Sequence, residues 1–226
     1  MVTCVQRIVY QLVWQSEEWP THLDSNLYSN NLNICMGHEL HIIAGIDYSL
    51  CGPCICVFEG GAKFSFDDCC FYFLTDTKKY AKVFLGNIHG ELFSEWEQDM
   101  ERYQSIADWA VDILKNVKQV ALEGYAYSAT GKVFHIAENT GVLKYKLFSE
   151  GIPVTIIPPT EVKKFGSGKG NADKTAMHEA FLKETGIDLK AIMTPDKRDV
   201  ASPVSDIVDA YYICKKMHGE LILSSI

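Results

Sequence analysis

Residues 41–58 read HIIAGIDYSLCGPCICVF, and the reading of this stretch decides the fold. His41–Ile46 is a short apolar run that ends at Asp47, the pattern of a buried strand. Leu50–Pro53 carries turn residues, and Ile55–Phe58 is again apolar and β-like before Gly60-Gly61 ends it. The spacing predicts a strand–turn–strand hairpin. Cys51-Gly52-Pro53-Cys54 also has the C-x-x-C form of a thiol oxidoreductase. That chemistry requires a helix N-terminus straight after the first cysteine, to depress its pKa. A β-like run stands there instead, so the hairpin is the better reading.

Outward from the hairpin, Cys69–Leu74 is a third strand candidate. Helical spacing follows across Leu92–Asn116, with Trp96, Tyr103, Ile106, Ala110, Ile113 and Leu114 in or near one stripe. Val117–Leu122 reads as a strand, Val133–Glu150 as a helix ended by Gly151, and Pro153–Ile157 as a strand stopped by Pro158-Pro159. Lys163–Gly170 is a Gly/Lys loop, Asn171–Thr185 a helix capped by Gly186, and Ser205–His218 the last helix. This order specifies an α/β layer fold with a mixed sheet. Residues 1–38 carry Asn and Ser clusters without a period. They are expected to be an N-terminal extension, disordered or not translated, with Met36 as an alternative start. A normal N-terminal strand is the competing reading. The compact domain then covers 39–226.

Carboxylates stand where these elements end. Asp47 closes the first strand, in Ala44-Gly45-Ile46-Asp47-Tyr48-Ser49, and Glu123 closes the later one, in Leu122-Glu123-Gly124-Tyr125. Asp206 and Asp209 lie at i and i+3 in the first turn of the last helix and share a face. A lone Asp at a strand end is usually a turn residue, and Asp206 alone would suit a helix cap. Four such acids at the carboxyl edge of an α/β sheet would repel strongly unless cations neutralise them. Their hard oxygens suit Mg²⁺ or Mn²⁺, two of which can clamp a phosphodiester.

These segments resemble RuvC-like Holliday-junction resolvases. Ala44–Ser49 resembles their first catalytic strand and Leu122–Tyr125 their second acidic segment. Pro153–Pro159 with Val162–Lys174 resembles their strand, basic glycine loop and helix start, and Ser205–Ala210 their C-terminal acidic pair. The order and spacing agree over about residues 41–218. The resemblance implies a ribonuclease-H-like mixed sheet of about five strands flanked by helices. It implies that Asp47, Glu123, Asp206 and Asp209 are the catalytic acids, holding two Mg²⁺ ions with Mn²⁺ as a substitute. It also implies a homodimer that cuts two opposed strands of branched DNA, a four-way junction, inside a bacterial or phage-infected cell. The divergent details look more like phage or viral members. In the bacterial enzymes an aromatic residue three positions after the second acid stacks on an unpaired base. Here Ala126 holds that position, between Tyr125 and Tyr127.

Lys163, Lys164, Lys169 and Lys174 surround Gly166, Gly168 and Gly170, a composition that lets backbone and ammonium groups approach phosphate. Lys174, one turn into the following helix, is the best placed to reach the scissile phosphate. Lys132, with Tyr125, Tyr127 and His135, forms a smaller patch suited to DNA, although helix capping and core packing fit it equally.

The net charge of −8 argues against a generic polyanion binder. The charge is uneven: residues 128–174 hold 7 basic against 4 acidic side chains, enough for a local nucleic-acid contact. No apolar run reaches the ~18 residues of a membrane span, and Met1–Trp19 does not read as a secretory signal. The eight cysteines of a chain without such a signal are expected to be buried free thiols rather than a disulfide or zinc framework. Rival functions are a junction-binding scaffold without catalysis, a thiol oxidoreductase using Cys51 and Cys54, and an RNA–DNA hybrid nuclease or exonuclease on the same fold.

Overall fold

The computed structural model describes residues 41–124 and 133–224. The extension expected over 1–38 lies outside them. Strands β1 (His41–Asp47), β2 (Cys54–Gly60) and β3 (Cys69–Thr75) form an antiparallel meander, joined as predicted by the turn around Gly52-Pro53. Strands β4 (Val83–Phe84) and β5 (Ile88–Leu92) extend it, with β5 parallel to β3. On the other side, β6 (Gln119–Glu123) pairs parallel with β1, and β7 (Val154–Ile157) parallel with β6. The sheet order is β4-β5-β3-β2-β1-β6-β7.

Seven strands therefore stand where about five are expected. The two extra strands carry almost no period-two signal: β5 buries only Ile88, and β4 is partly exposed. Backbone pairing to β3, invisible in side-chain patterning, makes them strands.

Helices cover both faces. Strand alternation sends Ala44, Ile46, Ile55 and Leu122 to one face, where α1 (Asp99–Leu114) and α2 (Val133–Ser149) pack. It sends Ile43, Cys54, Cys56, Phe58 and Ala121 to the other. There α3 (Pro159–Ser167), α4 (Lys174–Thr185), α5 (Leu189–Met193) and α6 (Val204–Ser224) pack. Helix α6 lies directly on β1. A Cβ at Gly45 would collide with the backbone nitrogen of Cys214 and the carbonyl oxygen of Ala210, so only glycine admits this approach.

Three local expectations are corrected. The stretch 163–170 is not one loop: Pro159 presets the first turn of a helix that runs to Ser167, and Gly168 ends it with φ 82°. Gly166 lies within that helix, where a Cβ would come 3.0 Å from Met177 and Tyr212, so it serves packing rather than phosphate approach. The next helix starts at Lys174, because the Asp173 carboxylate accepts from the Ala176 N–H at 2.8 Å and caps it. Lys174 is thus its first residue, not one turn in. The helix expected from Leu92 starts at Asp99, where the Glu101 carboxylate accepts from the Gln98 N–H at 3.3 Å; Leu92 itself ends β5. Among the described residues no helix is long and apolar enough to cross a membrane.

Candidate active site

The register of β1 and β6 pairs Ile46 with Leu122, so their terminal acids, Asp47 and Glu123, come level at the carboxyl edge of the sheet. Alternation turns both towards the face that α6 covers. The close approach of β1 at Gly45 to Ala210 and Cys214 then sets the start of α6 beside the end of β1, with Asp206 in its first turn and Asp209 just beyond it rather than in the first turn as expected. The four acids expected from sequence therefore share one electrostatic neighbourhood. Burial raises the Asp47 carboxyl well above the ordinary carboxylate range, and the charges of Asp206, Glu123 and Asp209 raise it further. Burial, then Asp209, pushes Glu123 up to about 7. Burial, then Asp206, pushes Asp209 up to about 6.

Two of the expected lysines oppose this. Lys174 favours the ionised forms of Asp47 and Asp209, and Lys163 those of Glu123 and Asp209. Lys164 and Lys169 are exposed, on α3 and on the loop after it. Tyr125, Tyr127 and Lys132 lie outside the described residues.

Several neighbours of the acids carry no signal in the sequence. Ser205 Oγ donates to Asp206 Oδ1 at 2.8 Å, and Ser202 Oγ donates to Asp206 Oδ2. Lys174 Nζ donates to Ser205 Oγ at 3.2 Å. Gly52 closes the hairpin turn over this group: a Cβ there would stand 2.6 Å from Asp206 Oδ2. The hairpin that resembles a redox motif is thus a wall of the acid cluster. Cys51 is exposed and Cys54 buried. The register sets Cys54 opposite Asp47. Burial, then the charges of Asp206, Asp47 and Asp209, raises the Cys54 thiol well above its ordinary value. An attacking thiol needs the opposite environment. Cys56, Cys69 and Cys214 are also buried thiols, with Cys56 hydrogen-bonded to the other two.

The donor set fits a hard divalent cation: oxygen ligands only, mutually repelling, and partly desolvated. Among the described residues, no three His, Cys, Asp or Glu side chains form a ready-made metal cage.

No family model matches the chain. Over 117 residues it is 26% identical to a crossover junction endodeoxyribonuclease RuvC of Synechococcus sp. strain WH7803, a match covering 52% of this chain and 68% of that protein. Over 98 residues it is 33% identical to the RuvC of Corynebacterium jeikeium strain K411, covering 43% and 58%. Its fold matches that of Thermus thermophilus RuvC solved with a Holliday junction substrate, at a TM-score of 0.52 and 19% identity, over 79% of this chain and 96% of that one. The chain is RuvC-like in sequence and in its mixed α/β fold.

Proposed function

We propose that this RuvC-like chain is a metal-dependent endonuclease that resolves four-way DNA junctions. The observation that carries the proposal is the meeting of Asp47, Glu123, Asp206 and Asp209, from two strand ends and one helix start, at a single sheet edge. A scaffold that only binds DNA has no use for acids that repel one another and the phosphates. Asp47, Glu123, Asp206 and Asp209 would hold two Mg²⁺ ions, which supply charge neutralisation and an activated water when bound.

The chain's own residues divide the remaining work. Lys174 brings a positive charge to the edge of the cluster, where negative charge develops on the phosphoryl oxygens. Lys163 offsets Glu123 and Asp209, lowering the repulsion that an incoming phosphate meets. The exposed Lys164 and Lys169, together with Tyr125, Tyr127 and Lys132, would hold flanking DNA through phosphate contact and stacking, without reading sequence. Opposed nicks across one junction call for two sites, hence a homodimer. Helix α2 leaves Phe134, Tyr145 and Phe148 exposed, apolar surface of the kind a partner covers. The reading places the enzyme inside a bacterial or phage-infected cell, in recombination, repair or genome processing.

The test is cleavage of a labelled four-way junction with Mg²⁺, comparing wild type with Asp47→Asn, with linear duplex and RNA–DNA hybrid as controls. Paired symmetric nicks that the variant loses while still binding the junction support the proposal. Binding without cutting under Mg²⁺ or Mn²⁺ makes the protein a scaffold. Preferential cutting of the hybrid makes it another nuclease on this fold.

A further inference from the structure

We propose that Ser205 is a positioning residue that ties Lys174 to Asp206, so that the cation of the site is held by one of its acids through a hydroxyl. This inference rests on the functional reading above and adds to it a residue the acid pattern does not contain.

Chemistry fixes the direction of each bond. The Lys174 ammonium has hydrogens only to give, so Ser205 Oγ accepts from it at 3.2 Å. The one hydroxyl hydrogen of Ser205 then goes to Asp206 Oδ1 at 2.8 Å. Ser202 gives its hydrogen to Asp206 Oδ2. The relay runs one way, from Lys174 through Ser205 to Asp206. Both oxygens of Asp206 are bonded from two sides, and the Gly52 turn closes a third, since a Cβ there would come 2.8 Å from Ser202 Oγ.

Ser205 is not needed to build the helix. Its N–H bonds the carbonyl of Ala201 at 3.2 Å, while its hydroxyl is spent on Lys174 and Asp206. A lysine has a long stem and loses up to about 2 kcal/mol of rotamer freedom when fixed. Lys174 is otherwise exposed. The relay holds its head where Asp47 and Asp209 both feel its charge. The hydroxyl thereby delivers Lys174 to the place where a phosphate would meet the acids.

Two measurements on the full chain test this. In the metal-free protein, lysines are reductively ¹³C-methylated and the Lys174 resonance is assigned with Lys174→Arg. Ser205→Ala is expected to move that resonance into the envelope of the exposed lysines. An unmoved resonance overturns the link, whether or not the protein cuts DNA. In junction cleavage, Ser205→Ala and Lys174→Met are each expected to lower kcat about ten-fold or more, the scale of losing one charge-assisted hydrogen bond, with KM little changed. Ser205→Ala is expected to add nothing in the Lys174→Met background. Additive losses, or full activity of Ser205→Ala, overturn the proposal. Circular dichroism and melting of each variant identify one that has merely failed to fold; Ser205→Thr, which keeps the hydroxyl, then decides, since a folded Thr variant whose Lys174 resonance joins the exposed lysines overturns the proposal. A wild type that never cuts junctions defeats the functional reading but leaves the resonance test standing.

Discussion

The acid cluster costs stability when no cation is present, and Glu123 lets that cost be worked out. Burial, then the Asp209 charge, raises its carboxyl from 4.5 to about 7, against the opposing pull of Lys163. A carboxyl raised in the folded state is bound more tightly by protons there than in the unfolded chain. Between these two values the folded state holds the extra proton, so stability falls as pH rises through the window. Each pH decade across it is worth about 1.4 kcal/mol, so a full accounting gives roughly 3 kcal/mol. Because Asp209 titrates over the same range and shares the repulsion, about 2 kcal/mol is the sounder figure for Glu123 alone. Glu123→Gln removes the charge and keeps the shape. In EDTA at pH 8 it is expected to raise Tm by about 4–8 °C, at the roughly 2–4 °C per kcal/mol usual for chains of this size. At pH 5, where wild-type Glu123 is already protonated, it is expected to change Tm little. Mg²⁺ at pH 8 should stabilise the wild type more than the variant. The assay is differential scanning fluorimetry across pH 5–8, with and without Mg²⁺. A variant that is less stable than wild type at pH 8, or equally shifted at both pH values, refutes the argument that Glu123 is held charged against its environment.

Three further outcomes follow from the same geometry. Gly45→Ala drives a methyl into the backbone of α6. It is expected to cost about 3 kcal/mol or more and to abolish cleavage, read by chemical denaturation beside the junction assay. Lys163→Met removes a charge that lowers both Glu123 and Asp209. The acid limb of the kcat–pH profile is expected to move to higher pH, and an unmoved limb places Lys163 outside the site. Cys51 is exposed and Cys54 buried beside three carboxylates, so a disulfide reagent should label Cys51 in the native protein and Cys54 only after unfolding. Rapid native labelling of Cys54, or cleavage that depends on reductant, would revive the redox reading.

The sequence disclosed what side-chain pattern encodes. The β1–β2 hairpin, the parallel strand ending at Glu123 and the acidic start of α6 all carry strong apolar runs with a carboxylate at the boundary, and all stand where they are expected, save that Asp209 falls just past the first turn. What escaped is held by backbone or by contact between distant segments. Strands β4 and β5 exist through pairing to β3. The helix over 159–167 hides behind a glycine count that suggests a loop, because Gly166 is chosen for its contact with Tyr212 and Met177. Ser202, Ser205 and Gly52 surround Asp206 from two separate segments, and no spacing rule links a turn at 52 to a helix start near 205.

The four acids have different partners, and the difference bears on how the site works. Asp206 is held by two serine hydroxyls and reached by Lys174 through one of them. Asp47, Glu123 and Asp209 are instead pushed towards the protonated state by burial and by each other. Asp206 thus has hydroxyl donors fixed on both its oxygens, and the charge it places on Asp47 and Asp209 adds to the load a cation would relieve. Glycine sets both halves of this arrangement: Gly45 brings α6 down onto β1 and creates the crowding, and Gly52 leaves room for Asp206 and the Ser202 hydroxyl that bonds it. The expected contrast is therefore in how the acids respond to a neutral amide. Asp206→Asn should raise metal-free stability least, because the repulsion it relieves on Asp47 and Asp209 is offset by the weaker, uncharged acceptor left to Ser205 and Ser202. Asp47→Asn, Glu123→Gln and Asp209→Asn should raise it at pH 8. Melting curves of the four variants in EDTA decide this, and a uniform response would mean that the acids form one undivided cluster.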